Sequence, residues 1–302
     1  YLAPVTTTNT NYNFGTDGSQ SGWATGSYPS RLANEGVKWE TSEQINVGID
    51  ARFIQSRLSF TADWYIKKTK DWLVQAPVLA TAGTQGPVIN GGDVKNTGVE
   101  IGLSWNDNIG KDFSYSVGGN FAYNHNKVGS IPTEDGIIHG ASNQIYSNAE
   151  EFYRAENGHA IGYFWGYKTA GIFQNQQEIN DWIAAGNGVL QSNVQPGDTK
   201  YVDINRDGQI NAVDKVDLGN GLPKYTFGFN VSLSWKGFDL SANATGAAGF
   251  QIAQSYRDPN SSQGNYSRQI LDRWTGEGTS NRIPRVTYGD VGNWQFSDLY
   301  LQ

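Results

Sequence analysis

The sharpest chemical pattern in the chain is the twelve-residue stretch Asp203-Ile204-Asn205-Arg206-Asp207-Gly208-Gln209-Ile210-Asn211-Ala212-Val213-Asp214. Oxygen-bearing side chains at positions 1, 3 and 5, Gly at 6 and an acid at 12 follow the ligand order of a calcium loop. Ca2+ is a hard cation that gathers several oxygens, and Gly208 allows the sharp turn that would aim Asp203, Asn205 and Asp207 at one point. Gln209 would offer its backbone carbonyl, Asn211 would act directly or through water, and Asp214 would close the shell. Ile210 would pack inward and anchor the loop. Position 12 departs from the pattern, because Asp is shorter than the usual Glu and reaches an ion less readily with both oxygens. No flanking helices of an EF-hand are legible. The same residues could instead make an Asx-rich turn whose carboxylates cap backbone amides, and both readings stay open. A bound ion would staple a loop rather than act as a sensor.

Other candidate chemistry is thin. The three His residues (His125, His139, His159) fall in no HExxH or other metal-ligand spacing, and His125 is expected at a strand end. No GxSxG elbow, Walker loop or nucleophile–base spacing is present, so the expectation is a protein that is not an enzyme. Glu134-Asp135 and Glu150-Glu151 read as solvated loop acids. Tyr163, Phe164, Trp165 and Tyr167 cluster in one stretch, and Trp294 with Phe296 lies near the end. Aromatic faces beside Asn and Asp can hold sugars, but packing of the loop itself is the commoner use.

The elements that must position these residues are strands. Apolar and polar residues alternate without a slip in six segments; Ile45, Val47, Ile49, Ala51 and Phe53 alternate with Asn46, Gly48, Asp50 and Arg52. Successive strand side chains point to opposite faces, so each segment has one oily and one wet face. The expected strands are 44–54, 57–67, a third on Val99, Ile101, Leu103 and Trp105, then 113–123, 225–235 and 238–244. Turns at Gln55-Ser56, around 108–111 and at Lys236-Gly237 join them in pairs. Long connections follow at 68–98, 126–223 and beyond 250. Segments of about 9–11 residues suit a membrane-spanning barrel strand, where ordinary strands run about 5–6. Short turns at one end and long loops at the other suit an outer-membrane barrel. Trp64, Trp105 and Trp235 are expected in interfacial aromatic girdles, and Asp50, Arg52, Asp63 and Lys67 on a wet lumen wall. A soluble sandwich, with Trp capping its core, would show the same alternation.

Composition fits this class. Hydrophobic residues make up 37%, aromatics 13% and Gly 37 of 302 residues, at a mean hydropathy of -0.53. No apolar run approaches the roughly 20 residues of a transmembrane helix. A net charge of -7 argues against a nucleic-acid partner, whose footprint would be basic. Zero Cys removes disulfides and Cys-based zinc sites. Residues 1–43 read as a long polar loop. One helix is expected over 176–185, with Ile179, Trp182 and Ile183 packing on loop structure, and a second over 266–274. Zero Met and no signal peptide lead to the expectation of an internal fragment of a longer chain.

Two ordered stretches stand out, Lys38-Trp39-Glu40-Thr41-Ser42-Glu43-Gln44-Ile45-Asn46-Val47-Gly48-Ile49-Asp50 and then Gly92-Asp93-Val94-Lys95-Asn96-Thr97-Gly98-Val99-Glu100. By these the chain resembles the SusC/RagA family of TonB-dependent outer-membrane transporters from Bacteroidetes. Ile161 to Phe173, Pro196-Gly197-Asp198, the 203–214 loop, Pro223 to Gly228, Trp235 to Leu240, Arg273-Trp274-Thr275 and Ser297 to Tyr300 follow in the family's order. Asn34-Glu35-Gly36-Val37 departs from the family's Asn-Pro-x-Leu.

The resemblance implies an all-β fold: one arc of a 22-stranded transmembrane antiparallel barrel, with long extracellular loops that carry short helices. The plug, the N-terminal strands and the last strands would lie outside residues 1–302, and 126–223 would be an extracellular loop region. It also implies import of oligosaccharides or oligopeptides with a SusD-like surface lipoprotein, powered through TonB-ExbB-ExbD, in outer-membrane lipid. The competing reading from the residues is a secreted or surface-anchored β-protein that binds glycan and carries a structural calcium.

Overall fold

The computed structural model describes residues 5–6, 11–13, 23–76, 78, 80–146, 149–254, 267–287 and 292–302. Six long strands dominate it: β1 (Thr41–Phe53), β2 (Leu58–Lys70), β3 (Asp93–Ile109), β4 (Phe113–Ser130), β5 (Tyr225–Trp235) and β6 (Phe238–Ala248). They form one antiparallel sheet in which neighbours in the chain are neighbours in space.

Pairing register turns the alternation of each strand into two continuous faces. Ile49, Ala62, Ile101, Phe121, Phe227 and Gly246 form one row across all six strands. On the other face Arg52, Ser59, Ser104, Gly118, Asn230 and Asn243 form a second row. A slip of one residue in any pair would mix the two faces. The apolar face stays uncovered, with Ile49 64%, Phe229 52% and Leu240 64% exposed. A soluble sandwich would bury these residues against a second sheet, and among the described residues no such sheet exists. That reading fails, and the apolar face is the one that meets lipid.

All three tight turns lie at one end of the sheet. Lys236 (φ 48) and Gly237 (φ 89) supply the two positive φ angles of a two-residue hairpin turn. Gly110 (φ 67) opens the turn between β3 and β4. The β1–β2 turn uses four residues rather than the expected two, with Ile54, Gln55 and Ser56 all left-handed.

β5 and β6 have 11 residues each, roughly 36 Å of strand, which at a tilt of about 40° covers an apolar band of about 25 Å. Tyr123 and Tyr225 pack 5.4 Å apart at one end of that band. Phe113, Trp235 and Phe238 share a row at the other. Trp105 donates to the Tyr115 hydroxyl at 3.1 Å near the turn end. Trp64 sits in the middle of β2 rather than at its end, yet register places it in the row of Tyr123 and Tyr225.

β3 and β4 run longer than their apolar patterns, to 17 and 18 residues. Their polar ends project past the start of β5 and carry the loop region between Ser130 and Tyr225. The segment 158–161 lies along the free edge of β4: Val128 N–H donates to the His159 carbonyl at 2.8 Å, and Gly158 N–H to Val128 at 2.9 Å. Val94 and Val128, on the lumen side, pack with Ile131 and Ala155. The loop region has its own four-stranded sheet, made of Ile137–His139, Tyr153–Glu156, Tyr163–Tyr167 and Lys215–Asn220.

Helix α1 (Gln176–Ala184) begins where Asn175 accepts from Glu178 N–H at 2.9 Å, while the Glu178 carboxylate accepts from Gln174 N–H at 2.6 Å. Ile179 is buried and Trp182 stands edge-on to Phe173, but Ile183 is 49% exposed and takes no part in that packing. The expected second helix is a short 3-10 turn, Arg268–Asp272, and its predicted start at Tyr266 lies outside the described residues.

The lumen face is carved by glycine. A Cβ on Gly98 would lie 2.5 Å from the Tyr123 carbonyl oxygen and 2.5 Å from the Tyr65 ring, whereas at Gly119, on the lipid-facing side, the nearest atom would be 3.4 Å away. Gly98→Ala should therefore destabilise by about 1–3 kcal/mol through overpacking, and Gly119→Ala should be nearly neutral. Thermal unfolding of the two variants in detergent measures the difference.

Candidate functional site

Two regions can act on a ligand: the polar wall and the loop region above it. Ser and Asn dominate the wall, and they offer hydrogen bonds without fixed charge. Near the turn end, an open hollow of about 700 Å³ is lined by Arg57, Asn106, Ser116, Ser232, Asp239 and other wall residues. Near the loop end, Tyr65 donates to Asn124 at 3.1 Å, and Asn126 donates to Asn96 at 2.9 Å. Asn126 also accepts from Ile161 N–H at 2.8 Å. The asparagines thus tie the loop region to the wall. Asp50, Arg52, Asp63 and Lys67 all fall on the lumen side of the register.

The 203–214 stretch folds as a closed loop. Asp203, 6% exposed, accepts from Arg206 N–H at 2.6 Å and Gly208 N–H at 2.7 Å. Asp214, fully buried, accepts from Ile204 N–H and Asn211 N–H, both at 2.9 Å. Asn205 accepts from Asp207 N–H at 3.0 Å, and Asp207 accepts from Gln209 N–H at 2.8 Å. Asn211 caps the 3-10 turn Ala212–Asp214. Ile210 packs inward against Tyr167 and Tyr201, as its spacing predicts. The loop therefore brings Asp203 and Asp214 to its interior and turns Asp207 outward. Among the described residues, no three His, Asp or Glu side chains converge on one point as a metal shell. Gly208 (φ 81) and Arg206 (φ 60) supply the turn.

The loop aromatics are packing groups. Phe164, Phe296, Tyr300 and Leu301 form a buried cluster, with Phe152 4.9 Å from Phe296. Tyr163 is buried, and its hydroxyl donates to Glu156. Trp165 lies 4.0 Å under the Arg154 guanidinium. Burial, with the Glu150 and Asp214 charges, pushes the Tyr167 hydroxyl up to about 12.

Three acids have roles that near neighbours in the sequence do not announce. Glu151, expected to be solvated, accepts from His139 Nδ1 at 2.9 Å, from Gly140 N–H at 3.0 Å and from Arg154. Glu150 is paired with the buried Lys215. Asp198 is wholly buried and accepts from Arg285 Nε at 2.6 Å, Asn293 Nδ2 at 2.7 Å and Gln195 N–H at 2.8 Å. It locks the loop region to the last segment of the chain. Its place in Pro196-Gly197-Asp198 was the only sequence signal for it. Asp135 joins His139 at 3.3 Å, and His159 pairs with Asp217 at 2.8 Å while stacking on Tyr163.

The hydrogen bond to Glu151 raises the His139 pKa above its usual value; burial and Arg154 oppose this, and Asp135 supports it. A raised His pKa adds stability below the unfolded value of about 6.5, and that stability fades as pH rises through the folded value. Hydrogen exchange in residues 135–154 should therefore speed up as pH climbs from about 5 to 8, beyond the intrinsic rate change. In His139→Gln that excess should vanish, and its persistence would assign the effect to another group.

The family described as "TonB dependent receptor-like, beta-barrel" matches residues 1–245. TonB-dependent receptor P3 of Formosa agariphila is 29% identical over 256 residues, which is 84% of this chain and 25% of that protein. TonB-dependent receptor SusC of Bacteroides thetaiotaomicron is 26% identical over 210 residues, 69% of this chain and 19% of that protein. The solved structure of the RagAB peptide transporter superposes with a TM-score of 0.71 at 22% identity, covering 100% of this chain and 30% of that one. The chain thus spans about a quarter of the length of the curated relatives it matches. With its apolar outer face, polar inner face and one-ended tight turns, the chain belongs to the TonB-dependent receptor-like β-barrel family and forms wall and outer loops of a barrel in the outer membrane.

Proposed function

We propose that the protein to which this chain belongs imports bulky nutrients, oligosaccharides or oligopeptides, across the outer membrane. The observation that carries this reading is the two-faced sheet, whose apolar rows face lipid while the inner rows are mostly Ser, Asn, Thr and Gly, with a few charges such as Asp50, Arg52, Asp63 and Lys67 among them. Uncharged hydrogen-bonding groups suit a passage that must hold a polar solute and release it. TonB would supply the energy, and a SusD-like surface lipoprotein would deliver the cargo to the loop side; the likeness to SusC and to the RagAB transporter supports both. The chain's own residues would bind and guide the solute without catalysis. Deleting the gene should abolish growth on one class of oligomer, glycan or peptide, while growth on its monomer persists. Loss of TonB should reproduce the defect. Normal growth on every oligomer in the deletion strain would overturn the reading.

A structural calcium in the 203–214 loop is a second reading, and a specific observation favours it. Asp203 and Asp214 are buried with only amide and no cationic partners among the described residues. Buried charge is ordinarily paired or bound to metal. Asp203, Asn205 and Asp214, with the Gln209 carbonyl, would hold the ion, and Asp207, turned outward here, would have to swing in to join them. Chelation, or Asp203→Ala with Asp207→Ala, should speed protease cleavage within 190–222. Calcium should restore protection to the unmodified protein alone, and cleavage indifferent to chelator would remove the ion from the account.

A further inference from the structure

One row near the loop end of the outer face is made entirely of charged residues. Register places Glu43, Lys68, Lys95 and Lys127 side by side on β1 to β4. They share the face of Ile45, Ile66 and Val99, not the face of the lumen. Their row lies at the loop end of the apolar band, one step beyond the row Ile45, Ile66, Thr97 and His125 on that face. That end carries the long connections, so the row stands where the outer leaflet ends.

Like charges directly opposite on neighbouring strands are destabilising, so the arrangement needs a counter-charge. Carboxylates of the chain supply only part of it. Lys68 pairs with Asp93 at 3.1 Å, and Lys70 pairs with Glu43 at 2.6 Å. Among the described residues no carboxylate makes an ion pair with Lys95 or Lys127, and both are exposed. Two unpaired lysines thus face each other across β3 and β4, on an outward surface in a chain whose net charge is -7. Strands about 4.8 Å apart place Lys68, Lys95 and Lys127 within about 10 Å, the breadth of one phosphorylated head group.

We propose that Lys95 and Lys127, flanked by Lys68, bind the phosphate of an anionic lipid head group in the outer leaflet. Charge complementarity and continuity with the lipid-facing band select this occupant. Basic groups just beyond an apolar surface attract anionic head groups in this way. The site is independent of the cargo and of the loop calcium, and it stands even if the import reading fails.

The test uses the full-length protein in dodecylmaltoside micelles, titrated with phosphatidic acid. At about 1 kcal/mol per lysine and 1.4 kcal/mol per tenfold, Lys95→Gln with Lys127→Gln should weaken binding about thirty-fold. Lys67→Gln removes one positive charge from the lumen face of β2 and should leave binding unchanged. In lipid-free micelles the double variant should unfold at the same or a higher temperature, because a like-charge pair has been removed. Unchanged affinity in the double variant, or equal loss in Lys67→Gln, would overturn the proposal. So would displacement of the lipid by equimolar inorganic phosphate, since the site would then be one for free phosphate. Earlier unfolding of the double variant would assign the lysines a structural role and would overturn it as well.

Discussion

Everything in this structure depends on the hydrogen-bonded register between neighbouring strands. In a bilayer no water is present to satisfy a free N–H or C=O, so a strand can cross only when paired. Pairing alone does not make a wall; the pairs must also keep parity. Ile49 must meet Ala62 rather than Asp63, and Ala62 must meet Ile101 rather than Glu100. Because parity holds across five successive pairings, six amphipathic segments become one apolar surface for lipid and one polar surface.

The loop region follows from the same ladder. β3 and β4 continue beyond the apolar band, and their projecting ends offer unused backbone edge. Segment 158–161 takes up that edge, and Asn126 holds it from the lumen side. From this root the loop strands build a core of their own around Phe164, Phe296 and Tyr300. Buried carboxylates then fix segments distant in sequence, Asp198 through Arg285 and Asn293, and Glu151 through His139 and Arg154. The loops are therefore a rooted platform above the wall, not slack connections between strands.

The six wall strands, the positions of their tight turns and helix α1 were legible because each is declared by near neighbours. Period-two alternation names a strand, Lys236-Gly237 names a turn, and the spacing of Ile179 and Trp182 names a helix face. The inward packing of Ile210 was legible for the same reason. The lengths of β3 and β4 were not, because Asp93 to Thr97 and Asn124 to Ser130 carry little apolar signal. They extend because they find partners in each other. The role of Glu151 was invisible, since nothing in Glu150-Glu151 says that His139 and Arg154 will fold onto it.

By itself the sequence determined the strands, their two faces and the family, since these reside in local alternation and in motifs kept in order. It also determined the composition of the calcium-like loop, but not the orientation of its side chains. Only the tertiary structure decided that Asp203 and Asp214 turn inward while Asp207 turns outward, and that Lys68, Lys95 and Lys127 share one row. Those outcomes belong to pairings between residues far apart in the chain. Their relative position is set by register, which no single segment encodes.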